Sequence, residues 1–413
     1  MVLISDRVRL RVSFLILLVP LAESFRRAIA RGAPDFRVFH HAWSLVWQGA
    51  GAQIYHDSPD RFLYSPGFAW FLAPLGACAP HVAFVFWCLL KVFAMLWVSH
   101  WVAAEAWSKE SSLGIMTARG RLLSGVLGLL LVMRPFLVDI EYGQVNILIL
   151  FLAVWGLATH LNVRSSVLTT AVSWFLLGMI ALAKIFPLPL LLVPWFLPLK
   201  NSVGKLKWER GSVLAAVGFN CLVPVWTLGW VGAWQLLLDW RDAVVARGVP
   251  LESHNQSFMA MIHHLLSGDP TPIIAQHYQP ILFGAAMLSS QQILLVSLFW
   301  TLLVGGGVFA WVLRGPREQP LKWVVLLLGS LILPLHLIWK AYFVMALPAA
   351  IFVAARLLQR QKKGPGLILF LLLFCCNNLT TFDVVGYGWG AFFEASSSLL
   401  VFHLGLLIWG ACL

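Results

Sequence analysis

An all-α polytopic membrane protein is the fold class this sequence predicts, and three observations predict it. Mean hydropathy is +0.84. Of the 413 residues, 60% are hydrophobic and only 11% are charged, against about 25% charged in a soluble protein. Apolar runs also recur from one end of the chain to the other. A soluble chain of this length would divide into two or three domains, and these charges are too few to coat them. A secreted disulfide scaffold, a disordered chain and an ordinary cytosolic enzyme are excluded. The six cysteines (Cys78, Cys88, Cys221, Cys375, Cys376, Cys412) mostly sit in apolar runs without metal-ligand spacing, so they read as small hydrophobes.

A spanning helix needs about 20 mostly apolar residues. That criterion predicts about twelve spans, at 11–30, 81–107, 122–138, 144–161, 167–183, 185–199, 211–235, 286–313, 323–340, 341–357, 364–380 and 396–412. The N-terminal stretch carries Arg7, Arg9 and Arg11 before an apolar run, as a signal peptide does. Without a persuasive cleavage site it reads as an uncleaved first span. The proline-interrupted stretch 66–79 is too short to cross and reads as a re-entrant or interfacial helix.

The net charge of +12 would suggest nucleic acid in a soluble protein. Here it records orientation, and no nucleic-acid partner is expected. The N-terminus with segments 109–121, 162–166, 200–210, 314–322 and 356–363 holds 18 Lys/Arg against four acids. The remainder holds 11 against 13. The positive-inside rule then puts both termini in the cytoplasm. Long polar segments at 31–65 and 236–285, after the first and seventh spans, fall outside, with a shorter one at 381–395. Long loops on a membrane protein are where function concentrates. The chain is expected to be one integral membrane domain. It comprises 1–80 (first span, external loop and interfacial helix), a bundle over 81–235, an external loop over 236–285 and a second bundle over 286–413.

The external loops hold the candidate chemistry. Pro34-Asp35 opens an apolar and aromatic stripe, which reads as a helix start. Asp35 there would be stabilised as a carboxylate by the helix's positive end, and by local residues alone this structural role is the default. The other role open to it is accepting a proton from a sugar hydroxyl at the membrane surface. Glu141 is the second carboxylate candidate. Lys184 and Lys340 sit at outer helix junctions, where a lysine either snorkels or meets a phosphate as a point charge. Arg37 and Arg134 could contact phosphate or anchor in lipid head groups. The adjacent His40-His41 and His263-His264 pairs point apart on a helix and make no one-face metal site, although His41 could line a cavity. Lys91 falls mid-span, where an unpaired charge is costly, so it requires a partner or a cavity. Tryptophans near span ends (Trp43, Trp47, Trp107, Trp240, Trp339) read as an interfacial belt, with Trp339 also a candidate to stack on a sugar.

In order along the chain come Asp35-Phe36-Arg37-Val38-Phe39, Gly51…Tyr55, Tyr64-Ser65-Pro66, Pro74-Leu75, Gly143-Gln144-Val145-Asn146, Lys184-Ile185-Phe186-Pro187 and Asn255-Gln256-Ser257. This series resembles the polyprenol-phosphate-sugar-dependent transferases of the GT-C superfold, specifically glycosyltransferase family 87, over roughly residues 10–350. One departure concerns the later outer junction, Leu333-Pro334-Leu335-His336-Leu337-Ile338-Trp339-Lys340-Ala341-Tyr342. The Trp-Lys pair matches the family, but Tyr342 stands where a His is common. His336 could substitute only if the chain turns it inward.

The resemblance implies an inverting, metal-independent transfer of mannose or a related sugar from a polyprenyl-phosphate donor to a glycolipid or cell-envelope glycan. The setting it implies is a bacterial inner membrane, with the active site on the periplasmic side. Asp35 would be the general base, and Lys184, Lys340 and Arg37 would hold the donor phosphate. His41, Tyr64, Glu141, Gln144, Asn146, Asn255, Gln256, His336, Trp339 and Tyr342 would line the substrate cavity. No cofactor is expected, because the chain has no Asp-x-Asp motif and no nucleotide-binding glycine loop. Gly305-Gly306-Gly307 lies in an apolar run, where it permits close helix packing. A lipid or glycan transporter is the competing class, and it predicts ionisable residues paired at mid-membrane. A structural or assembly partner without catalysis is the third.

Overall fold

A computed structural model of the chain describes residues 6–56, 62–108, 115–162, 164–197, 203–269, 281, 287–315, 319–359 and 364–413. Parts of the expected cytoplasmic segments (109–114, 200–202, 316–318, 360–363) and of the second long loop (270–280, 282–286) lie outside the described residues. The described residues form helices without a β-strand. Four helices are long and apolar enough to cross a membrane, or up to six if each of two bent pairs is one span. Four shorter apolar helices accompany them. The twelve-span layout is therefore met only in part.

The chain begins with α1 (Asp6–Arg31) and turns through Gly32 and the left-handed Ala33 into α2 (Pro34–Trp47). Pro34 starts α2 because its missing N–H is one the first turn leaves unpaired anyway. The buried face of α2 is Phe36, Phe39, His40 and Trp43, the helical spacing of its apolar residues. Trp43 is fully buried against Phe36, Phe39, Phe68 and Trp87, so it belongs to the core and not to an interfacial belt. The short helix α3 (Pro66–Gly76) packs so closely on α2 that a Cβ at Gly76 would sit 2.4 Å from the Trp43 backbone.

α4 (Pro80–Ala106) follows, then α5 (Ile115–Leu131) and α6 (Met133–Tyr142), which bend by 65° where a single span was expected. α6 stops at Gly143, whose φ of +71° is a left-handed cap. α7 (Asn146–Leu161) and α8 (Val167–Ala183) follow where spans were expected, as two of the shorter apolar helices.

The expected span 185–199 is instead a 3-10 turn (Leu188–Leu192) and a single helical turn, α9 (Val193–Phe196). Pro187, Pro189 and Pro194 remove the donors a continuous helix needs. α10 (Val203–Arg247) runs past its expected end, with a kink at Gly229 (φ +72°). α11 (Phe258–Leu266) lies in the second long loop, and α12 (Ser290–Arg314) starts at a capping box between Ser289 and Gln292.

The expected span 323–340 also differs. α13 (Pro320–Ser330) ends early, the chain runs non-helically past Pro334, and a 3-10 turn (Lys340–Ala346) leads into α14 (Leu347–Gln359). α15 (Gly364–Phe374) and α16 (Phe382–Ala395) bend by 89° through a π-turn, and α17 (Ser398–Cys412) completes the described helices.

α14 is buried on nearly all sides. α10 exposes Leu222, Trp226, Trp230 and Trp234, while α12 exposes Leu295, Phe299, Leu302 and Leu303. Apolar residues arrayed outward on long helices suit contact with lipid chains better than with water.

The α6–α7 turn depends on Gly143, where a Cβ would lie 2.4 Å from the Phe36 Cβ at a backbone angle L-residues disfavour. Gly143→Ala should destabilise the protein by roughly 1–3 kcal/mol, read as a lower unfolding midpoint in detergent. An unchanged midpoint would mean the turn tolerates a side chain there.

Candidate active site

The helix breaks converge on one cavity of about 1200 Å³, walled by α1, α2, α6, the end of α10, the 335–342 segment and α16. Asp35, Tyr64, Glu141, Gln144, Lys184, His336, Trp339, Lys340 and Tyr342 all line it. Residues up to 374 positions apart along the chain, Pro20 and Glu394, are thereby brought together.

Two separate charged networks stand in this cavity. The first starts at Asp35 in the first turn of α2. Its Oδ2 accepts a short hydrogen bond from Gln144 Nε2. Lys184, just past the end of α8, donates to Gln144 Oε1 at 3.1 Å and to Asn146 Oδ1 at 2.7 Å. An ammonium only donates, so it fixes both amides with their oxygens towards Lys184. Gln144 therefore turns its NH₂ to Asp35, and Asn146 turns its NH₂ to Asp139 Oδ2 at 3.1 Å. The Asn146 backbone N–H also donates to Asp139 Oδ2, at 3.1 Å. Asp139 Oδ1 lies 2.6 Å from the Lys91 ammonium, and neither side chain is exposed.

Charges alternate along this chain, with one side-chain amide between each of the successive pairs Asp35–Lys184 and Lys184–Asp139. Tyr342 and Tyr64 complete the surroundings of Lys184, their ring centres 4.1 Å and 5.8 Å from its Nζ; such contacts favour the cation.

Burial dominates the titration of both cavity groups. It pushes the Asp35 carboxyl up to about 6, opposed by the Lys184 charge and the Gln144 hydrogen bond. It lowers the Lys184 ammonium to about 8, opposed by Asp139 and Asp35. A carboxylate with a raised pKa on a cavity wall is suited to taking a proton near neutral pH. Asp35 Oδ1 has no hydrogen-bond partner among the described residues and is open to such a proton.

The second network centres on Glu394 of α16. It pairs with Lys340 and, at 3.2 Å, with Arg134. Arg134 is buried and also donates to Thr380 Oγ1 at 3.0 Å, so it is not a lipid head-group anchor. His254 Nδ1 stands 3.8 Å from Glu394 Oε2. Burial, reinforced by the Lys340 charge, depresses His254 to about 4 and leaves it neutral at physiological pH. Two cations sharing one carboxylate leave a positive balance at this end of the cavity. Glu141 pairs with Arg31 of α1, and Arg247 lies over the Trp339 ring at 5.7 Å.

Several expected cavity residues lie elsewhere. Arg37 is exposed, packs towards Gly32 and does not line the cavity. His41 is also outside the lining, its Nε2 buried without a partner, while His40 Nε2 bonds the Cys78 carbonyl. Asn146 is fully buried behind Lys184. Asn255 and Gln256 are fully buried struts. Asn255 binds the carbonyls of Pro250 and His336 and accepts from Ile338 N, and Gln256 binds the carbonyls of Ser253 and Glu394. His336 does reach the cavity, through an extended segment and not a helix, with its Nε2 2.9 Å from Thr301 Oγ1.

Asp139 and Glu394 are the site residues that sequence reasoning missed. The signal was present: acids are scarce in this chain, and one placed in an apolar run requires a cationic partner. Lys91 needed such a partner, and Asp139 is it.

A carboxylate with a raised pKa faces two lysines across a cavity in a helical bundle. The family comparison narrows this to a glycosyltransferase: a family model described as Glycosyltransferase family 87 matches residues 62–338, about two thirds of the chain. The chain belongs to glycosyltransferase family 87. No curated protein matches it. Gln144, Asn146 and Lys184 fall within the matched residues, whereas Asp35, Lys340 and Glu394 fall outside.

Removing the carboxylate that Arg134 and Lys340 share strands two cations in a buried setting. Glu394→Leu should cost about 3–5 kcal/mol of stability, seen as a lower denaturation midpoint. A loss below about 1 kcal/mol would assign Glu394 the weight of a surface pair.

Proposed function

We propose that the protein transfers a sugar, mannose or a close relative, from a polyprenyl-phosphate donor to a hydroxyl of a glycolipid or cell-envelope glycan. The observation that carries the reading is the facing of the Asp35 carboxylate and the Lys184 ammonium on one cavity, bridged by a single amide.

In this reaction Asp35 takes the acceptor hydroxyl proton as the oxygen attacks the anomeric carbon. The bond from that carbon to the phosphate oxygen breaks on the opposite face, which inverts the configuration. The leaving phosphate keeps the electron pair, and the ammonium groups of Lys184 and Lys340 stabilise its charge. The Arg134–Glu394 pair holds Lys340 in place. The exposed apolar residues of α10 and α12 support a membrane setting. Charge asymmetry of the sequence favours cytoplasmic termini and a cavity on the external side, and a bacterial inner membrane is the setting the family resemblance implies.

The buried Lys91–Asp139 pair is the feature a transporter would share. It is hydrogen-bonded into the wall behind Lys184 and does not line the cavity, which fits support of a reaction site better than a moving ion pathway. Family membership points the same way.

Two tests bear directly on this reading. Asp35→Asn should reduce incorporation of labelled sugar from a polyprenyl-phosphate donor into membrane glycolipid by about 10²–10⁴-fold, with unchanged detergent stability. Transfer at the wild-type rate would remove Asp35 from the mechanism. The pH dependence follows from the two shifted groups. Asp35 works only when ionised, so kcat/KM should rise with pH through about 6. Lys184 works only when protonated, so the rate should fall again through about 8. A profile flat across this interval would show that neither group limits turnover.

A further inference from the structure

The Lys91–Asp139 pair does not line the cavity, yet it is the end of the hydrogen-bond chain that reaches Asp35. Resting on the reading of Asp35 and Lys184 given above, we infer that Asp139, with Lys91 as its counter-ion, is a positioning residue that holds Lys184 in register with the catalytic carboxylate.

The geometry supports this at several points. Asp139 spends Oδ2 on both the backbone N–H and the side-chain amide of Asn146. That fixes the first residue of α7 and the amide oxygen that receives the shorter of the two Lys184 hydrogen bonds. The Asp139 carbonyl accepts from Gln144 N at 2.9 Å and from Lys91 Nζ at 2.6 Å, so the residue that bridges to Asp35 is tied to the same point. One helical turn from Lys91, on the same face of α4, Trp87 Nε1 donates to the Gly143 carbonyl at 3.0 Å. α4 thus grips the 139–146 turn at two places.

Rigidity alone does not require this chemistry. A buried ion pair is often no more stable than apolar residues of the same volume, and Trp87 already anchors the turn. What an apolar pair could not provide is a fixed negative charge directly behind Lys184. The charged and titratable groups acting on Lys184 are Asp35 from α2, Asp139 from α6 and Lys91 from α4, with Tyr64 and Tyr342 facing it. Asp139 is the largest of the charge effects that keep Lys184 protonated, and Lys91 opposes it more weakly. Asp139 on one side of Lys184, with Asp35 on the other, opposes the burial that disfavours its charge.

The test is binding of farnesyl phosphate to the full-length protein in detergent, measured by calorimetry from neutral to alkaline pH. It needs no acceptor and no assumption about the sugar. Wild-type affinity should fall as pH passes about 8. In Asp139→Asn the fall should move to lower pH, by roughly half a unit to one unit. In the charge-neutral double variant Lys91→Met, Asp139→Asn it should move the same way by less, because loss of the cation offsets loss of the carboxylate. The double variant also covers the case in which Asp139→Asn alone fails to fold with Lys91 uncompensated. A folded single or double variant whose affinity falls at the wild-type pH overturns the proposal and leaves the site reading standing. Lys184→Met serves as reference: a step left there belongs to Lys340, whose pKa burial also lowers, and adding Asp139→Asn should not move it. A step that Asp139→Asn moves as far in the Lys184→Met background overturns the assignment of Lys184 and the proposal with it.

Discussion

The site depends on one constraint: a lysine in a poorly solvated place must be surrounded by groups that keep it charged and still. Lys184 meets it with two amide oxygens, two aromatic faces and carboxylates beyond each amide. Because an ammonium only donates, it orients both amides and so directs their NH₂ groups to Asp35 and Asp139. Reversing either amide would put an NH₂ against the ammonium, and reversing Gln144 would also strip Asp35 of its donor. The network therefore has a single satisfied arrangement, which is what preorganisation requires of a reaction site.

Regular helices could not build such a cavity. In a membrane bundle backbone polar groups are satisfied within helices, and irregular chain is tolerated only where protein or a polar cavity surrounds it. The departures from helix here gather round the cavity: the glycine cap at Gly143, the prolines after Lys184, the extended run from Pro334 to Trp339 and the sharp turn into α16. Each break frees a short segment to aim side chains across the bundle. The strut Asn255 satisfies backbone groups that the Pro334–Trp339 run exposes, and Gln256 binds the Glu394 carbonyl near the end of α16. The short motifs thus divide in the structure: Asn255 and Gln256 are buried supports, while Gln144 and Lys184 face the cavity.

The two lysines that sequence reasoning joined at one phosphate prove to have different partners. Lys184 is held by neutral amides between carboxylates, and Lys340 is paired directly with Glu394 alongside Arg134. Both face the same space, so an anion bound there would meet one cation held ready and another that must share its carboxylate. This division gives the cavity two distinct ends, one beside the candidate base and one beside α16.

Hydropathy, proline and glycine placement and helical spacing determined the all-helical class, the start of α2 at Pro34, the short α3 and the long apolar helices α4, α10 and α12, because these follow from local chemistry. The order of short motifs also pointed to Asp35, Gln144 and Lys184. Local chemistry could not say that Arg37, one turn from Gly32, points away from the cavity, or that Trp43 is core and not belt. Nor could it rank Asp139 and Glu394 above other acids, since their importance comes from which cation folding brings beside them. Lys91 shows the boundary: its position in an apolar run demanded a counter-ion, but only packing of α4 against the α6–α7 turn decided which one. Side-chain partnership across a bundle is a property of three-dimensional distance, and a one-dimensional pattern carries the need for a partner without its identity.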